Sequence, residues 1–129
     1  MSAASADSLS GEYFQLIRRG DSMVVVPSPE VEQLPSNVVE TAAQIVLAPL
    51  KERPATNVVF DLSKVQFFGS EFISFLLRCH VLVKTSDCEM VLAGVSERIR
   101  ELLRQTALDT LWAIYDNRSQ ALEALDGAG

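Results

Sequence analysis

Histidine occurs once in the 129 residues and cysteine twice. Those scarcities argue against most catalytic and metal chemistry. His80 has no second His or Cys at a ligand spacing, so no zinc site can be assembled around it. It stands in the middle of an apolar helical pattern, where a core or partly exposed role is expected rather than that of a base or ligand. Cys79 and Cys88 do not form a CxxC pair and lie among apolar residues. Two buried free thiols in a reducing cytosol are the expectation. Glycine numbers 6, with neither G-x-G-x-x-G nor a Walker A loop, so the usual backbone cradles for nucleotide phosphates are missing. No apolar run approaches the roughly 18 residues of a spanning helix, so membrane insertion is not expected. Lys and Arg total 11 against 17 Asp and Glu, for a net charge of −6. Nucleic acid is therefore not an expected partner, because neutralising phosphates needs clustered cations. Arg98, Arg100 and Arg104 come nearest to a cluster, but Glu97 and Glu101 interleave them, as on a solvated helix face.

Hydrophobic residues make up 48% of the chain and charged residues 22%, ordinary values for a globular domain. The opening stretch MSAASADSLSG has neither a basic start nor an apolar core. Residues 1–11 are read as a disordered N-terminal arm rather than a secretory signal, and 12–126 as a single domain.

Tyr13 to Arg18 alternates apolar and polar residues, and Met23 to Val26 is β-branched. With Arg19-Gly20-Asp21 between them they read as a hairpin. Pro27-Ser28-Pro29 ends it. Apolar residues from Ser36 to about Leu50 recur at helical spacing, with Ser36 or Asn37 as the expected N-cap and Pro49 and Pro54 bracketing the exit. Asn57 to Leu62 is a continuous apolar run, as in a strand buried on both faces. Gly69-Ser70 starts a very apolar helix through Val83, Glu89 to Ala93 is a further buried strand, and Ser96 caps a helix fading near Thr106. Leu111 to Tyr115 is the last strand and Ser119 to Leu125 a closing helix. The order β-β-α-β-α-β-α-β-α predicts an α/β fold. Its mixed, mainly parallel sheet has about five strands, edged by the N-terminal β-hairpin, with four helices.

Paired carboxylates could be sought in Asp61 and Glu71, but an aspartate at a strand end is expected to accept loop hydrogen bonds. No catalytic residues and no cofactor are assigned. The remaining candidate is the turn after the third strand, where Ser70 opens an apolar helix. Unmodified, Ser70 can cap that helix through its hydroxyl; phosphorylated, it would place an anion at the positive end of the dipole.

Around this turn the sequence resembles the STAS family, that of anti-sigma-factor antagonists. The resemblance runs through Asp61-Leu62-Ser63, Phe67-Phe68, Gly69-Ser70-Glu71-Phe72, Leu92-Ala93-Gly94, Val95-Ser96 and Ala107-Leu108-Asp109. It covers about residues 57–114 well and the hairpin only generally. It implies a STAS fold and partner switching: a regulatory module binds an anti-sigma factor or a serine kinase-like protein, and phosphorylation of the serine releases it. By position that serine is Ser70. The docking surface would be Gly69, Ser70, Glu71, Phe72 and Ser74 with the preceding loop. Three departures bear on control. The family's Asp is Gly69 here, its second Ser or Thr is Glu71, and its Gly is Phe72. Glu71 would repel a phosphate on Ser70 while supplying a fixed negative charge, and Phe72 is either a partner anchor or core.

Two other readings are open: an accessory subunit of an ABC-type membrane transport system, and a small-molecule or nucleotide-binding module using the crevice at the strand carboxyl ends. A cytoplasmic location is expected. The hairpin edge and the apolar second helix each offer a surface for a homodimer.

Overall fold

A computed structural model describes residues 13–33, 35–48, 57–67 and 69–128. The expected N-terminal arm, Pro49, Leu50, Pro54 and Phe68 lie outside the described residues. Strand β1 (Phe14–Arg19) turns through Gly20 and Asp21 into β2 (Ser22–Pro27), the antiparallel hairpin expected from the alternation. Gly20 has φ +58°, which suits it to the two-residue connection. Strands β3 (Asn57–Asp61), β4 (Met90–Ala93) and β5 (Ile114–Tyr115) then add in parallel, giving the order β1-β2-β3-β4-β5. Among the described residues the sheet is accompanied by helices α1 (Val39–Val46), α2 (Ser70–Thr85), α3 (Glu97–Gln105) and α4 (Arg118–Ala128).

Period-two alternation divides the sheet's side chains between two cores. Met23, Val25, Val58, Phe60, Met90 and Leu92 point to the face covered by α1, α2 and α3. There they meet Ala42, Val46, Phe72, Phe75, Ile99 and Leu103. Val24, Val26, Val59, Val91 and Ala93 point to the opposite face, where α4 supplies Ala121 and Leu125. The central strands therefore read as unbroken apolar runs because both their faces are covered.

Three boundaries differ from expectation. The first helix begins later: Ser36–Val38 is a 3-10 turn, its Val38 N–H bonding Pro35 O at 3.2 Å. The N-cap of α1 is consequently Val38, which makes no side-chain cap hydrogen bond, rather than Ser36 or Asn37. Ser70 is not a cap either, because Gly69 holds that position in extended backbone (φ −94°, ψ −167°). The last strand shrinks from five residues to two, since Ala107 turns left-handed (φ 61°) into a 3-10 turn at Leu108–Thr110 and Trp112 is drawn into the core.

Candidate functional site

The loop from β3 to α2 is fastened at both ends and in the middle. Asp61, 5% exposed, accepts from the Ser63 backbone N–H at 3.0 Å and from Arg118 Nε on α4 at 2.8 Å. Burial works to raise its pKa, but hydrogen bonds from Ser63 and the Arg118 guanidinium outweigh it and hold the carboxyl below its usual value of 3.8. Gly94, at the end of β4 with φ +66°, leaves no room there: a Cβ on it would lie 3.1 Å from Asp61 Oδ1. Asp61 thus accepts loop hydrogen bonds as expected, and it does not pair with Glu71. Further along, Leu62 and Val65 are buried and pin the loop to the core. Gln66 donates its N–H to Glu32 Oε2 at 3.3 Å, and its carbonyl accepts from Ser96 Oγ at 3.0 Å. Ser96 also caps α3 as expected, accepting from the Ile99 N–H at 3.2 Å.

These tethers present the turn itself at the surface. Gly69 is half-buried, while Ser70, Glu71 and Ser74 are exposed. Ser70 Oγ donates to Glu71 Oε2 at 3.1 Å. The other oxygen of that carboxylate lies 3.8 Å from the place a Cβ on Gly69 would occupy, so Glu71 folds back over the glycine. An acid in the first turn of a 16-residue helix sits where the dipole favours it.

Phe72 is the correction at this site. At 1% exposure it stacks on Phe75, ring centroids 5.3 Å apart, and belongs to the core rather than to any docking surface. The sequence carried that signal: Phe72, Phe75, Leu76, Cys79 and Val83 follow one helical stripe. Among the described residues the exposed aromatic is Phe67 instead, at 38%, with the Arg98 guanidinium 4.6 Å from its ring centroid.

Sequence reading also missed the surroundings of His80. Its Nδ1 accepts the Trp112 indole N–H at 3.1 Å, and the rings meet edge to face. Burial, then Lys84, lowers the His80 pKa against a smaller opposing effect of Glu89. Cys79 and Cys88 are both buried thiols outside any disulfide, as expected, and burial pushes the Cys79 thiol well up, so it stays protonated and unreactive. Among the described residues no group of three His, Cys, Asp or Glu could hold a metal, and no helix is long and apolar enough to cross a membrane.

This arrangement presents an exposed serine beside an acid at the start of α2. The STAS domain family matches residues 1–121. The chain belongs to that family. Among the described residues its fold has a mixed five-stranded sheet and four α-helices. An anti-sigma F factor antagonist of Paenibacillus polymyxa is 27% identical over 77 residues, 60% of this chain and 66% of that protein. A STAS domain protein of Planctomyces limnophilus is 29% identical, with TM-score 0.74 over 88% of this chain and 97% of the other. The Bacillus cell-fate determinant SpoIIAA in its phosphorylated form is similar in fold, with TM-score 0.66 over 86% and 97% of the two chains, at 15% identity.

Proposed function

We propose that this STAS domain is a non-enzymatic regulatory module that works by partner switching, docking through Gly69, Ser70, Glu71 and Ser74 to an anti-sigma factor or serine kinase-like protein. The observation that carries this reading is the form of the turn. Ser70 stands exposed at the first helical position while the residues on either side are pinned, Gln66 by Glu32 and Ser96, Phe72 by the core. A rigid frame around an exposed hydroxyl lowers the ordering cost of docking. The antagonist names carried by relatives support the same reading. A phosphate on Ser70 would add roughly −1.5 to −2 charges beside the Glu71 carboxylate and change the docking surface strongly while the helix dipole tolerates it.

The test is phosphorylation and complex formation with the anti-sigma factors and kinases of the host. Label on wild type that disappears in Ser70→Ala, together with loss of the complex on labelling, is the expected result. A complex that forms normally with Ser70→Lys would sink the docking assignment, and equal labelling of Ser70→Ala would sink the phosphorylation site.

A further inference from the structure

Phe67 stands in the loop that leads to Ser70, 38% exposed, and its direction is set by its neighbours in the chain. Val65 is buried, and Gln66 is held through both its N–H, to Glu32, and its carbonyl, to Ser96 Oγ. Ser96 also caps α3 through the Ile99 N–H, so one serine ties down the loop and starts the helix that carries Arg98. The outcome is the Arg98 guanidinium 4.6 Å from the Phe67 ring centroid. Glu101, one turn along and a natural pairing partner for Arg98, bonds Arg104 and Gln105 instead. An exposed ring holds a guanidinium only weakly and takes none of its charge, so N–H donors remain for a carboxylate.

We infer that Phe67 and Arg98 form a second anchor of the docking surface, built for an acidic side chain on an apolar stretch of the partner. The partner's carboxylate takes the Arg98 guanidinium, and its apolar neighbour covers the exposed part of the Phe67 ring. Aromatic residues and Arg are the types enriched at interfaces, and here the two are assembled before docking. The assignment rests on the partner-switching reading and adds the chemistry of the partner. It also connects the anchor to Ser70. Three residues of chain span at most about 11 Å, on the order of the Debye length of about 8–10 Å. A phosphate on Ser70 would therefore repel the partner's carboxylate at Arg98, which favours release.

The test is calorimetric titration of the full chain with the host anti-sigma factor or kinase whose complex Ser70→Lys disrupts. Phe67→Ala and Arg98→Gln should each weaken that complex about tenfold or more. Arg98→Gln should also flatten the loss of affinity on raising salt from about 50 to about 300 mM, whereas Arg100→Gln on the same helix should change little. Should Phe67→Ala fold poorly, Arg98→Gln decides alone, since its side chain is exposed. A complex lost in Ser70→Lys but unchanged in Arg98→Gln would overturn the anchor and leave the switching reading standing. Equal weakening by Arg100→Gln would also overturn it, as an effect of net charge. No complex with any such partner would sink the switching reading, and the anchor with it.

Discussion

Trp112 donates its indole N–H to Nδ1 of His80 across 3.1 Å, joining the segment before β5 to the middle of α2. The bond requires an unprotonated Nδ1, so it opposes the charged imidazole in the same direction as burial and Lys84. With the folded pKa lowered, the unfolded chain takes the proton first as pH falls. The His80 contribution is therefore complete above its ordinary value of 6.5 and is lost on going below it towards the folded value. Urea midpoints between pH 7 and 5 should fall in wild type. They should fall less in His80→Gln, which keeps an acceptor and has no proton to gain. Trp112→Phe should cost about 1 kcal/mol or more and move the His80 pKa, followed by NMR, back up.

Asp61 behaves in the same sense at lower pH. Its folded pKa lies below the usual 3.8, so its stabilisation is present above that value and disappears as acid carries the pH below it. Arg118→Met should destabilise by about 2 kcal/mol at pH 7, the scale of a lost charge-assisted bond to a buried group. The loss should shrink as the pH falls below 3.8. A flat difference across that range would show that Arg118 contributes through packing alone.

Gly94 and Gly20 share a left-handed backbone but not their surroundings. Gly20→Ala meets nothing within 4 Å and should cost about 1–2 kcal/mol, the conformational term alone. Gly94→Ala adds a contact at 3.1 Å with both Asp61 Oδ1 and Ser63 Cβ, and should cost about 1 kcal/mol more. Chemical denaturation of the two variants separates crowding from strain. Equal losses would mean that the Asp61 loop yields freely.

The two serines at helix starts should differ. Ser96→Ala removes a true cap and a bond to Gln66, and should cost about 1 kcal/mol or somewhat more. Ser70→Ala removes only an exposed bond to Glu71 and should stay within about 0.5 kcal/mol. Gly69→Asp, which supplies the missing cap, should stabilise by a few tenths of a kcal/mol. Thermal melts of the three variants check the order, and a large loss in Ser70→Ala would contradict the cap assignment.

Strands and helices whose apolar residues recur locally were legible in the sequence: β3, α2, β4 and α3 lie where periodicity put them. What failed was set by contacts distant in sequence or by backbone turns without a side-chain signature. Trp112 reaches His80 over 32 positions and Arg118 reaches Asp61 over 57, and neither pairing leaves a local pattern. The short β5 follows from a left-handed Ala107, which its identity does not announce. The phase of α2, which buries Phe72 and leaves Ser70 and Ser74 outside, was written in the spacing of its five buried residues. Phe67, one turn of loop earlier, had no period to place it.

Each strand in the sheet pairs with its neighbours in sequence, so a chain emerging during synthesis can add them one at a time. Only one face is shielded as it does so. Val24, Val26, Val59 and Val91 wait for α4, the last described element, and until Ala121 and Leu125 arrive they form a sticky nascent surface. A chain cut before Arg118 would therefore fail by self-association rather than by losing its strand order, and the final helix sets when the domain becomes safe to release.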